Sequence, residues 1–306
     1  MRYRHHAAVI SAFFVLLSIA SLMFKGLELG LDFTGGTQIE VSFDVPTDLE
    51  LIRNSLTNSG YPNHEVVNYG TDTDVMIRIQ DVGELAAGED ANVASGEAAN
   101  EVVAMLQNEI GGVELLGSGY VSSKVGDELK EQGGLGMLVA LGMIMIYIAL
   151  RFQFKFSVGA VVSLTHDAII TLGFFSLTGM NFDLTVLAAV LAVIGYSLND
   201  TIVVADRIRE NFRILRGKEP AEVIDIAITQ TLARSMITSF TTMIVLVALY
   251  IFGGAVVSGF SVALMVGIFF GTTSSIYVAA SILMFMHISK EDLMPPKRDE
   301  ELDAIP

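Results

Sequence analysis

The stretch LTVLAAVLAVIGYSLNDTIVV, residues 184–204, decides how this chain must fold. It is apolar along nearly its whole length, yet Asp200 sits inside it. Crossing the hydrocarbon of a bilayer takes about 20 consecutive, mostly apolar helical residues, and this run is long enough. Five further stretches qualify, at 7–24, 133–150, 157–178, 236–252 and 260–287. The chain therefore reads as a polytopic α-helical membrane protein with six transmembrane helices. Its composition agrees, with 52% hydrophobic and only 17% charged residues among 306, and a mean hydropathy of +0.57.

Charge gives the orientation. Lys and Arg flanking membrane helices are retained on the inner side. Arg2 and Arg4 precede the first span, and Arg151 and Lys155 separate the second from the third. Arg207, Arg209, Arg213, Arg216 and Lys218 separate the fourth from the fifth, while Lys290, Lys297 and Arg298 follow the sixth. The segments 179–183 and 253–259 carry no Lys or Arg. Both termini are expected inside and residues 25–132 outside. Ser18-Ile19-Ala20 resembles a signal-peptide cleavage site, but Leu22, Met23 and Phe24 continue the apolar run beyond it, so the first span is read as retained.

The net charge of −16 lies almost wholly in that outer segment. Residues 25–132 hold 20 Asp and Glu against five Lys and Arg, a net of −15. Such a surface repels nucleic acid, and no nucleic-acid partner is expected. The absence of cysteine removes disulfides and thiolate metal sites. The five histidines, His5, His6, His64, His166 and His287, show no metal-ligand spacing. No metal, cofactor or catalytic residue is expected. Without a GxGD or HExxH motif or a Ser–His pairing inside the spans, the chain is not read as an enzyme.

Within the outer segment, TQIEVSF (37–43) and DVMIRIQ (74–80) alternate apolar and polar residues, the period of half-buried strands. Leu49, Ile52 and Leu56 recur at helical spacing up to Gly60, 64–68 reads as a strand, and Ala99, Val102, Val103, Leu106 and Ile110 mark a second helix ended by Gly111-Gly112. Residues 113–121 supply a last strand. The order βαββαβ predicts a ferredoxin-like α+β domain between helices 1 and 2, with a Gly- and Ala-rich loop at 83–96. The expected organisation is 1–24, N-terminus and first helix; 25–132, outer domain; 133–287, helices 2–6 with an inner loop at 205–233; and 288–306, an inner tail. Within the loop, 220–228 reads as an amphipathic helix on the membrane surface, with Pro220 in its first turn.

An ionisable side chain at membrane depth is costly and marks a functional candidate. Asp200 lies roughly 24 Å along its helix from Leu184, with Tyr196, Ser197, Asn199 and Thr201 around it. Arg234 opens the fifth span, followed by Thr238, Thr241 and Thr242 on one stripe. An apolar medium favours the neutral acid and a nearby guanidinium favours the carboxylate, so the Asp200–Arg234 distance can decide whether a proton is held. The pair reads either as a proton gate or as a static buried ion pair, and the threonines either line a water file or bond their own i−4 carbonyls. His166-Asp167 in the third span reads either as a relay or as a lock between helices.

Three motifs carry a family resemblance: GLDFTGGT (30–37) with Asp32, Thr34, Gly35 and Gly36; GYSLNDTIVV (195–204) followed by DRIREN (206–211); and Arg234-Ser235 with Ile237-Thr238-Ser239. In this order they resemble the SecF family. The resemblance implies a resistance-nodulation-division-type unit with SecD in the bacterial inner membrane, multi-pass with both termini cytoplasmic and the outer domain periplasmic. It implies assistance to the SecYEG channel and the SecA motor, with YajC and YidC as further partners, drawing unfolded preprotein out by the proton motive force. It also implies proton movement at Asp200 and Arg234, and a conformational role for Gly35 and Gly36. The rival readings are a stand-alone proton-coupled exporter of lipids or small molecules and a passive scaffold of the translocon.

Overall fold

A computed structural model describes residues 4–69, 71–80, 91–152, 154–215 and 217–288. Helix α1 (Arg4–Phe24) leads through a one-turn helix α2 (Leu31–Thr34) into β1 (Gly36–Phe43), α3 (Leu49–Asn58), β2 (His64–Asn68), β3 (Asp74–Ile79), α4 (Ala91–Glu109) and β4 (Val113–Val121). Five long helices follow: α5 (Ser123–Arg151), α6 (Phe154–Thr178), α7 (Leu184–Ile214), α8 (Pro220–Phe252) and α9 (Ala255–Phe285). With α1, these make six helices long and apolar enough to cross a membrane.

The four strands form one sheet in the order β2-β3-β1-β4, every neighbour antiparallel. Ile39 pairs with Ile77 and Val41 with Val75, so the apolar sides of the two alternating strands coincide. Together with Phe43 and Ile79 they are buried beneath Ile52 and Leu56 of α3 and Val102 and Leu106 of α4. Asp48 starts α3 by accepting from the Glu50 amide at 3.0 Å, which satisfies one of the donors a helix start leaves unpaired.

In the bundle, α6, α7 and α9 are the most buried helices, and α1, α5 and α8 pack outside them with much apolar surface uncovered. In lipid there is no hydrophobic drive between helices, so close approach at small residues replaces it. A Cβ on Gly173 would lie 2.1 Å from Ser18, and one on Gly267 2.2 Å from Val193. Those two glycines set the α1–α6 and α7–α9 separations.

Three boundaries differ from the sequence reading. The segment 205–233 is not a loop: α7 runs on to Ile214, α8 begins at Pro220, and one short turn joins them. The amphipathic stretch 220–228 lies on protein instead of the membrane surface. Val223, Ile224 and Ala227 are buried with Ile208 and Phe212 of α7, Phe156 of α6 and Leu283 of α9. The outer domain ends before residue 132, because Ser122 caps α5 by accepting from the Val125 amide at 3.3 Å. The charges from Lys124 to Glu131 had hidden that stretch from an apolar count. Of the expected loop 83–96, residues 91–96 are the first turns of α4, in keeping with the helix preference of alanine. Residues 83–90, the tail 289–306, and Arg2 and Arg216 lie outside the described residues.

Candidate functional site

The Gly-Gly motif folds onto the start of α7. Gly30 N–H donates to the Phe182 carbonyl at 2.9 Å and Phe182 N–H donates to Glu28 O at 2.7 Å, a parallel bridge between Leu29 and Phe182. Asp32 Oδ2 accepts from the Leu184 amide at 3.0 Å, while Thr34 donates to Gly30 O at 3.2 Å. Gly36 has φ +139°, and a Cβ there would sit 2.3 Å from Ile79 O, so only glycine fits where β1 leaves the motif. Gly35 has φ +78°.

Farther along α7, Asp200 is 4% exposed and its Oδ2 has no hydrogen-bond partner. It faces Ser235 and Arg234 of α8, and the buried Ser235 hydroxyl also lacks a partner. Among the described residues no ion pair joins Asp200 to Arg234. Arg234 is exposed on the wall of a cavity of about 390 Å³ that also holds Arg151, Asp206, Arg207 and Glu210. The close contact expected from the sequence is thus open here, because Arg234 begins a stretch of α8 that faces outward at this level while Ser235 turns in.

The residues around Asp200 divide. Thr201 is buried and bonds Ser275 of α9 at 2.9 Å. Tyr196 Oη reaches Thr242 Oγ1 at 3.3 Å. Asn199 is exposed on another face of α7. Thr238, Thr241 and Thr242 each donate to a carbonyl one turn back in α8, at 3.1, 3.0 and 2.9 Å.

Ser197 turns away from Asp200 and donates to Asp167 Oδ2 at 2.6 Å. Asp167 is fully buried in α6 and also receives Ser274 of α9 at 2.8 Å and His166 Nδ1 at 2.9 Å. His166 Nε2 meets Ser11 of α1 at 2.6 Å, and Ser163 donates to Ser274 at 3.0 Å. Four helices converge on one carboxylate. The sequence singled out His166 and Asp167 but not Ser11 or Ser163. The missed signal was a spacing: Ser11, Ser18 and Ser21 repeat the steps of His166, Gly173 and Ser176, and Ser21 meets Ser176 at 2.7 Å. Helices α1 and α6 therefore run parallel and in register.

A buried carboxyl with every acceptor filled is fixed, whereas one with an unfilled oxygen can take a proton or an incoming donor. Among the described residues no group of three or more His, Asp or Glu could hold a metal ion. Among the described residues of the bundle, Asp167 and Asp200 are the two buried acids, and they stand in opposite conditions.

Residues 102–289 match the family described as "Protein export membrane protein SecD/SecF, C-terminal", and residues 20–47 match the "SecD/SecF GG Motif". The chain is 47% identical over 311 residues to the protein translocase subunit SecF of Vibrio alginolyticus, covering 100% of this chain and 96% of that protein. It is 44% identical to the Pseudomonas aeruginosa subunit of the same name, covering 100% and 97%. The fold is similar to the crystal structure of SecDF, a translocon-associated membrane protein, from Thermus thermophilus, with a TM-score of 0.77 and 33% identity over 94% of this chain. SecDF in its super-membrane-facing form gives a TM-score of 0.70 at 32% identity. This chain spans 38% of each of those SecDF chains.

Proposed function

Because the chain belongs to the SecF family of protein translocase subunits, we propose that it pairs with SecD and uses the proton motive force to assist late, outer-side steps of Sec-dependent preprotein translocation. It lies in the bacterial inner membrane with both termini in the cytoplasm. Its βαββαβ sheet domain, of ferredoxin-like topology, faces the periplasm. The placement of basic residues supports this orientation. Arg151, Lys155, Arg207, Arg209, Arg213 and Lys218 flank the helix ends opposite that domain, where retained positive charge belongs. SecYEG, SecA, YajC and YidC are the assembly it would serve, and unfolded preprotein its cargo.

One observation carries the proton reading: Asp200 is buried within a helix long and apolar enough to cross a membrane, with an oxygen unfilled, facing Ser235 and beside a cavity that holds an uncommitted Arg234. Moving Arg234 inward would favour the carboxylate, and moving it out would favour the protonated acid. Each charge crossing the potential supplies about 2.3 kcal/mol per 100 mV, enough to bias a conformational step on every turnover. The filled network around Asp167 supports a lock between helices in preference to a proton relay. The test is Asp200→Asn and Arg234→Met in a cell lacking the native copy, with late translocation read with and without a proton gradient. Both variants should lose the gradient-dependent part. Normal export by Asp200→Asn would leave the scaffold reading instead.

A further inference from the structure

Asp32 belongs to the base of the outer domain, yet it is bonded to the first turn of the helix that carries Asp200, 152 residues later in the chain. That helix already has its own cap: Asp183 Oδ1 accepts from the Val186 amide at 2.9 Å. One carboxylate beside a helix start is ordinary. Here a second one comes from a different domain.

The surroundings of Asp32 are closed on two sides. Toward α7 stand the two backbone bonds at Phe182 and the stacking of Phe33 on Phe182, at 5.8 Å between ring centroids. Toward the domain, Gly36 leaves no room for a Cβ beside Ile79; the motif also borders the long helix α5, where a Cβ on Gly126 would lie 2.5 Å from Phe33 O. Toward α1 the chain turns at Gly26, which has φ +75° and whose N–H donates to Ser21 O at 3.2 Å, closing the end of α1.

From this geometry we infer that Asp32 is a positioning residue that fastens the outer domain to α7 as one rigid piece. Displacement of α7 at Asp200 then moves the domain directly, because a helix transmits motion along its axis without loss of register. This inference rests on the proposed role of Asp200.

The chain has no cysteine, so a thiol pair can be placed uniquely. A Cβ on Gly30 would lie 3.1 Å from Asp183 Cβ, so a disulfide, which takes about 3.5–4.5 Å between Cβ atoms, forms there once the two backbones part by a few tenths of an ångström. In the complex with SecD, Asp32→Ala should lower export at least about threefold. Adding Gly30→Cys with Asp183→Cys and oxidising should restore at least about half of it, and reductant should remove the gain. Asp183→Cys alone, and the cysteine pair with Asp32 intact, are the controls. Should Asp32→Ala fail to accumulate, Asp32→Asn takes its place. A chemical role for Asp32 would not respond to the tether, and a folding defect is separated by the amount of each variant that accumulates, since a disulfide also stabilises the fold. Full export by the Asp32 variant overturns the inference. So does a formed disulfide that leaves export low, or one that abolishes export with Asp32 present. Asp200→Asn assayed in parallel separates the two ideas: normal export there ends the proton reading, while the tether's rescue is still scored.

Discussion

Asp167 and Asp200 are both carboxylic acids sealed inside one helix bundle, a single helical turn apart in their contacts with α7, and their surroundings are opposite. Asp167 receives His166, Ser197 and Ser274, while Asp200 keeps an oxygen with no donor. Three donors on its two oxygens make Asp167 part of the architecture. A buried acid left short of donors is held in place by its neighbours' packing, and its protonation is free to follow what comes near. The difference teaches that burial alone does not set what an acid can do; the number of donors it receives also bears on it.

The largest expected effect falls on the saturated acid. Asp167→Ala leaves Ser197, Ser274 and His166 without their common acceptor. Breaking one member of a buried charged network costs about 3–5 kcal/mol, so the variant should fail to accumulate or should unfold at markedly lower denaturant, as monitored in detergent. Asp200→Asn should shift the same unfolding midpoint by less than about 1 kcal/mol, since no donor is orphaned. A large loss of stability there would erase the contrast. Ser11→Ala removes one hydroxyl from His166 and should cost about 0.6 kcal/mol, the typical worth of an interhelical hydrogen bond in a membrane.

The smallest effect belongs to an acid outside the bundle. The Ser42 hydroxyl, donating at 2.6 Å, and then Thr71 hold the Asp74 carboxyl below its ordinary range. A folded value below the unfolded one means the contribution is present above the unfolded value and is lost as pH falls through the folded one. Asp74→Asn should therefore melt slightly earlier than the parent at neutral pH, with the difference shrinking as the pH falls below about 4. Equal melting across that whole window would remove Asp74 from the comparison.

Much of this was legible in the residues. The six apolar runs, the alternation of Ile39, Val41 and Phe43, and the anomaly of Asp200 follow from local spacing, which covalent geometry fixes. What escaped depends on which helix faces meet. Ser197 looked like a companion of Asp200 because it lies one turn away, but α6 and α9 lie on its side and draw its hydroxyl to Asp167. Arg234 looked like a partner of Asp200, yet the inward position on α8 belongs to its neighbour Ser235. The segment 205–233 looked like a loop because its arginines interrupt the apolar count. Those side chains leave Ile208, Phe212, Val223 and Ile224 free to build a core. The cap from Asp32 joins positions 152 residues apart, and no window along the sequence contains both.

The in-register pairing of α1 with α6 has a consequence in time. Ser11 and Ser21 find His166 and Ser176 only 155 residues later. At about 5–20 residues per second of synthesis, the growing chain must wait roughly 8–30 s between making α1 and making the helix that satisfies it. Until α6 is made, Ser11 and Ser21 are without the partners they have in the folded bundle, so the closing of this contact is timed by the ribosome.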